Sequence, residues 1–320
     1  GSEMCIRDSY VSLDYLNQDG IIINSDFKRY GARLNLDVSE GIFKFGITLN
    51  PSLTIENKVN SDGAYNSNGG GVVASALHSS PIFPVYNDDG SFCFAQNSWS
   101  ADTETIMDDG SIKRGNSQTQ VWNPVALAML QKDEKKASRI FGNIYGEVAF
   151  LSSLKYRANF GVDLYNDSED TFRPSTIPLS NTKGNPESIP EATSQTSRIY
   201  NWVFEQTLSY NKNFGGHSVS VLGGWTMQYQ RDESNYAFAN GFIINSIPTL
   251  NAGTVTRGNS NASEWSLLSA LARIQYNYLG KYMITGALRA DGASRFGKNN
   301  RWGYFPSVSC LLYTSDAADE

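Results

Sequence analysis

Residues 154–165 alternate without a break: Leu154, Tyr156, Ala158, Phe160, Val162 and Leu164 hold the even positions, and Lys155, Arg157, Asn159, Gly161, Asp163 and Tyr165 the odd ones. Successive side chains of a β-strand point to opposite faces, so this stretch predicts a strand with one apolar and one charged face. Residues 43–56 repeat the pattern, with Phe43, Phe45, Ile47, Leu49, Leu53 and Ile55 against Lys44, Thr48, Asn50, Thr54 and Glu56. Residues 140–150 follow suit, with Ile140, Ile144, Val148 and Phe150 opposite Asn143, Tyr145 and Glu147. Read along the whole chain, the pattern predicts ten strands, at about 10–16, 28–38, 42–57, 138–151, 154–166, 198–211, 217–231, 263–279, 281–291 and 301–309.

The links between these strands alternate in length. Tight turns are expected at Ser39–Gly41, Ser152–Ser153, Lys212–Gly216 and Gly280, and long links at about 17–27, 58–137, 167–197, 232–262 and 292–300. Antiparallel neighbours with short turns at one end and long loops at the other describe an all-β, up-and-down transmembrane β-barrel. A Greek-key sandwich would mix short and long links at both ends. Unpaired backbone groups cost several kcal/mol in hydrocarbon, so an open sheet does not span a membrane. The expectation is therefore a partial barrel of about ten strands whose remaining strands lie outside this chain.

Aromatic residues support membrane interfaces at both strand ends. Tyr210, Tyr276, Tyr278 and Tyr282 fall beside the short turns, and Tyr30, Tyr200, Trp202, Tyr229 and Trp265 beside the long links. Two short helices are expected inside the longest link. One covers Val72–His78, and the other runs through Val125–Leu130 behind Asn123 as N-cap and Pro124 at the first helical position. No run of ~18 apolar residues offers a transmembrane helix. Hydrophobic residues make up 40% of the chain while the mean hydropathy is −0.37, which suits strands that meet lipid on alternate residues only.

The two ends read as foreign. Met4-Cys5-Ile6-Arg7-Asp8 can be written ATG TGT ATA AGA GAC, followed by the first base of Ser9. The reverse complement translates as Cys310-Leu311-Leu312-Tyr313-Thr314. This resembles a transposon-end sequencing adapter translated together with its insert. Residues 1–9 and 310–320 are accordingly expected to be artefact, and 10–309 the authentic segment. Setting aside Glu3, Asp8, Asp316, Asp319 and Glu320 leaves 27 of the 32 acids, and setting aside Arg7 leaves 25 of the 26 bases. The net charge then moves from −6 to −2, so the acidic balance implies no basic partner and no nucleic acid. Of three cysteines only Cys93 remains, with no disulfide framework and no metal-type spacing.

Catalytic and cofactor signals are weak. Asp88-Asp89-Gly90 and Asp108-Asp109-Gly110 lack the distal Glu of a calcium loop and read as turns. Gly69-Gly70-Gly71 lacks the Lys-Ser/Thr of a phosphate cradle. His78 and His217 are the only histidines, at opposite rims, and neither has a nucleophile-and-base constellation nearby in sequence. No enzyme activity, cofactor or metal is expected.

Arg289-Ala290-Asp291-Gly292-Ala293-Ser294-Arg295-Phe296-Gly297 through Arg301-Trp302-Gly303-Tyr304-Phe305-Pro306-Ser307 resembles the late-barrel signature of SusC/RagA-type TonB-linked outer-membrane transporters. Ala76-Leu77-His78-Ser79-Ser80-Pro81 through Asp88-Asp89-Gly90 is similar to the family's long-loop stretch, and Trp122-Asn123-Pro124 to its following motif. Tyr15–Gly20 with Phe27–Tyr30 resembles an early barrel hairpin. The resemblance implies a barrel of about 22 strands closed by a plug. It implies outer-membrane localisation with long loops extracellular, and import of oligosaccharides or peptides. It also implies two partners, a SusD-like lipoprotein over the loops and TonB acting through a preceding segment. The rival function is a passive porin or structural outer-membrane barrel; a porin has no plug and no TonB contact.

Within this frame Tyr86, Trp99 and Trp122 are candidate cargo or lipoprotein contacts, because aromatics on loops commonly anchor recognition. Lys155, Arg157, Asp163 and Arg289 are expected to face the lumen. The basic cluster Arg289, Arg295, Lys298 and Arg301 reads either as a solvated hairpin or as a lumenal surface.

Overall fold

The computed structural model describes residues 8–61, 71–79, 84–93, 104–106, 112–114, 123–177 and 190–313. Ten long strands form one antiparallel sheet: β1 (Asp8–Asp19), β2 (Asp26–Glu40), β3 (Phe43–Asn57), β6 (Lys132–Leu151), β7 (Leu154–Arg173), β8 (Glu191–Phe214), β9 (His217–Asn240), β10 (Thr254–Tyr278), β11 (Tyr282–Ala293) and β12 (Trp302–Leu312). Each pairs with its neighbour in chain order, and among the described residues β1 and β12 remain edges. Two short strands, β4 (Glu104–Ile106) and β5 (Ile112–Arg114), pair with each other inside the longest link and were not expected. Helices α1 (Val72–His78) and α2 (Pro124–Leu130) lie where the sequence places them.

The turns on one side are as tight as expected. Gly41, Gly215 and Gly280 adopt φ of +58°, +55° and +71°, a region that only glycine enters without a steric cost. At the other end the strands run further than the alternation predicts. β8 begins at Glu191 rather than 198, and β10 at Thr254 rather than 263. In these extensions both faces carry Ser, Thr, Asn, Gln and charged residues, so the apolar period that marks a strand in sequence disappears. Ladder hydrogen bonds continue regardless, because they are made by the backbone.

The register sorts the side chains into two faces. Ile144, Phe160, Phe204, Met227 and Leu268 stand side by side across five strands. Val38, Phe45, Gly146, Ala158, Gln206, Trp225 and Ala270 form the next row. On β8 this face is free of charge from Tyr200 to Tyr210, with Arg198 just beyond one end and Lys212 beyond the other. Ten residue steps at ~3.4 Å, tilted ~45°, make a band about 24 Å tall, close to the ~25 Å apolar band of a membrane barrel. Phe160, Trp225, Ile274 and Leu288 on this face are exposed by two-fifths or more. So large an uncovered apolar surface is what lipid contact requires and what a water-facing sheet avoids.

The expected aromatic belts fall on this same face, with one correction. Phe214, His217, Tyr278 and Tyr282 form a row along the short-turn rim, with ring centroids 5.3, 4.8 and 6.3 Å apart in turn. Tyr30 and Tyr200 lie at the other end, and Tyr15 stacks near Tyr30 at 5.0 Å. Trp265 does not join them. It pairs in register with Gln230, which faces Asn201, and so belongs to the polar face. Segment 263–271 carries Trp265, Leu267 and Leu271 at odd positions and Leu268 and Ala270 at even ones, so its parity is ambiguous until the register is known.

The buried core sits above the sheet, among the long links. One cluster gathers Val72 of α1, Leu127 and Ala128 of α2, and Ile177 from the β7–β8 link, with Ile22 and Val59 packed against it. A second joins Phe172, Ala192 and Ala239 at three strand ends to Phe242 of the β9–β10 link. Part of the supposedly foreign ends is in the sheet: Asp8 and Ser9 extend β1, and Cys310–Leu312 extend β12. An edge ladder needs only backbone groups, and the side chains of Leu311 and Leu312 remain more than half exposed.

Candidate functional site

The polar face is a mesh of paired side chains. Arg139 on β6 grips Asp163 on β7 through Nε and one Nη, both at 2.7 Å. Asn143 donates to Asn159 at 3.1 Å, and Asn159 to Glu205 at 3.3 Å. Glu147 lies between Lys155 and Arg157, at 3.7 and 4.0 Å. The Arg157 guanidinium also sits 4.0 Å over the Tyr145 ring, whose hydroxyl donates to Asp37. Arg289 donates from Nε to both oxygens of Asp291, at 2.8 and 2.9 Å. Lys155, Arg157, Asp163 and Arg289 thus share one face of the sheet and are mostly paired. The basic hairpin divides: Arg295 stacks on Trp265 at 4.4 Å, while Arg301 donates to the Phe296 carbonyl at 3.4 Å.

Beyond the belt, where strands meet the long links, the polar face holds a charged pocket of about 210 Å³. Lys58, Asp133, Thr171, Arg173, Glu191 and Thr193 line it. Lys58 Nζ contacts Glu169 at 2.8 Å, and Arg173 pairs with Glu191 at 2.6 Å. Burial, reinforced by the like charge of Glu169, pushes the Asp133 carboxyl up to about 6. The hydrogen bond from Lys58 holds Glu169 below the usual carboxylate range. Burial works against the charge on Lys58, but the Glu169 contact together with the charges of Asp133 and Glu56 more than offsets it and raises its pKa. Its lining presents hydrogen-bond donors, acceptors and both signs of charge at one rim. Sequence reading missed it, because Asp133 and Lys58 lie outside the stretches whose alternation was legible.

Among the loop aromatics, Tyr86 bridges to Phe92 across a small hairpin, with ring centroids 5.1 Å apart, and is about half exposed. Asp89 builds the turn by accepting from the Ser91 backbone at 2.9 Å and from its hydroxyl at 2.6 Å. Trp99 and Trp122 lie outside the described residues, as do Asp108-Asp109-Gly110 and Gly69-Gly70. Asn123 caps α2 by accepting from the Val125 and Ala126 amides. His217 contacts the Tyr276 hydroxyl at 2.6 Å within the aromatic row, on the face opposite the ion pairs. Among the described residues no group of three or more His, Cys, Asp and Glu is placed to hold a metal.

No protein-family model matches the chain. TonB-dependent receptor P3 of Formosa agariphila is 33% identical over 303 residues, which cover 93% of this chain. TonB-dependent receptor SusC of Bacteroides thetaiotaomicron is 26% identical over 93% of it. The solved RagAB peptide transporter superposes over 96% of the chain with a TM-score of 0.73 at 20% identity, a likeness of fold. Over nearly its whole length the chain is similar to TonB-dependent receptors of the SusC/RagA type. It spans 28% and 29% of the two curated relatives' lengths and 32% of the solved chain. Its ten-stranded sheet has the fold of the matching third of that solved chain. The relatives are receptors and transporters, not enzymes.

Proposed function

We propose that this SusC/RagA-type segment forms part of a TonB-dependent importer of oligosaccharides or peptides. The apolar face meets outer-membrane lipid, and the polar face, with Lys155, Arg157, Asp163 and Arg289, lines the lumen. The long links then face the cell exterior, where a SusD-like lipoprotein caps them, and TonB acts through a segment preceding this one. The observation that carries the reading is the segregation of charge. From Tyr200 to Tyr210 one face of β8 has none, while the other face of the sheet carries the Arg139–Asp163 and Arg157–Glu147 pairs at the same height. A charge on the lipid face costs ~2–4 kcal/mol at mid-membrane, so such segregation follows from immersion. The strand extensions and loop cores suit the outer end, because they build a rim above the membrane.

The test is cargo uptake by cells carrying the full-length transporter as their sole route for that cargo. A protonophore should abolish uptake, since TonB draws on the proton-motive force. Uptake that persists would indicate a passive pore and overturn the reading.

A further inference from the structure

A groove of about 660 Å³ opens on the apolar face, near the long-link end of the belt. Its walls are Tyr30, Leu53, Ile140, Leu164 and Tyr200. Its floor is low for a backbone reason. Ala32 and Pro51 fall between the paired positions Gly31–Ser52 and Leu34–Leu49, and Pro51 has no N–H to donate. The β2–β3 ladder skips there, and the small side chains leave a hollow.

One register step toward the long links, the groove ends in Ser138, Asn166 and Arg198. Arg198 is exposed and donates from Nε to Asn166 Oδ1 at 3.2 Å. Glu233, its opposite number on β9, is taken by Arg231 at 2.7 Å. Lys28 and Lys136, the next cations on this face, are held by Asp26 at 3.5 Å and Glu134 at 2.6 Å. Among the described residues Arg198 therefore has no carboxylate partner.

We propose that the groove binds a membrane lipid with an anionic phosphate headgroup, its acyl chain along the apolar walls and its phosphate on Arg198. The proposal rests on the reading that this face meets lipid. A guanidinium matches phosphate oxygens through two parallel N–H donors, which a compact ammonium cannot do. Arg198 stands at the upper edge of the belt, the depth at which headgroups lie. A soluble anion would gain nothing from the apolar walls. A zwitterionic headgroup brings its own cation to compete with Arg198.

The full-length transporter, delipidated in detergent, is examined by native mass spectrometry with three separate probes: dioctanoyl phosphatidic acid, dioctanoyl phosphatidylcholine and inorganic phosphate. Phosphatidic acid should bind about tenfold more tightly than phosphatidylcholine, and phosphate alone should give no stable adduct. Arg198→Gln should bring phosphatidic acid down to the phosphatidylcholine level, with Arg198→Lys between the two. Equal binding of the two lipids, an unaffected Arg198→Gln, or phosphate binding as tightly as phosphatidic acid would overturn the site. Quenching of Trp202, on the same face, by brominated lipid in a single-tryptophan variant separates the two levels of the claim. An unquenched Trp202 overturns the membrane reading itself. A quenched Trp202 without phosphatidic-acid preference overturns only this site.

Discussion

The side-chain amide of Asn123 donates to the carbonyl oxygen of Val85 at 2.7 Å, across 38 residues of chain. The same nitrogen reaches the Cys93 carbonyl at 3.1 Å, while its oxygen caps α2. One buried residue therefore ties the small hairpin of residues 84–93 to the helix that precedes β6. Asn123→Ala should cost about 1 kcal/mol in capping alone, and more for the lost bonds to the two carbonyls, of which Val85 keeps the Cys93 N–H as a donor. Limited proteolysis of the full-length transporter should then cut within 71–131 several times faster, with barrel heat-modifiability unchanged. An unaltered cleavage rate would show that the clasp is not what holds this link.

The two faces of β7 should respond oppositely to charge. Phe160→Arg puts a guanidinium into the belt, at ~2–4 kcal/mol, whereas Asn159→Arg places it among ion pairs on the polar face. Outer-membrane yield and heat-resistant electrophoretic mobility should collapse for the first and persist for the second. Equal behaviour would reverse or abolish the assignment of faces.

Asp133 should make the rim sensitive to pH. It lies toward the long links from Ile140, outside the belt, and its folded pKa of about 6 exceeds the ordinary 3.8. A raised carboxyl pKa means the folded rim binds the proton more tightly than the unfolded chain. Its stabilisation is complete below about pH 3.8 and is lost as pH rises through 6. Glu169, shifted downward from 4.5, changes only below that value, so the window between about 4.5 and 6 reports Asp133 rather than Glu169. Amide protection of residues 132–136, corrected for intrinsic exchange, should fall across that window and become flat in Asp133→Asn. A mutant that keeps the pH slope would assign it to another group.

Tyr86, Trp99 and Trp122 are proposed as recognition residues of the longest link, which the proposed orientation puts outside the cell. Replacing all three by Ala should leave insertion intact and reduce cargo uptake or co-purification of the lipoprotein by an order of magnitude, as loss of aromatic anchors does. Wild-type uptake together with wild-type lipoprotein recovery would reduce these side chains to loop packing.

The adapter origin proposed for residues 1–9 and 310–320 makes a prediction at the level of DNA. Long reads across the source locus should show different codons at both ends and an open frame running through them. Recovery of the same codons in genomic context would make the ends native.

Period-two alternation is local, so the sequence by itself determined the number of long strands, their order and the alternation of short and long links. The apolar face of residues 154–164 needed no partner strand to be read. Where alternation failed, only tertiary structure decided. The extra residues of β8 and β10 are polar on both faces, and ladder bonds to neighbouring strands make them strand. Trp265 sits in a stretch with apolar residues on both parities, and its face follows from pairing with Gln230. Asn123 announced a helix cap, but its hold on Val85 and Cys93 depends on how distant segments meet. Arg198 is available only because Glu233 turns to Arg231, a choice between two cations that the linear chain leaves open and side-chain geometry resolves.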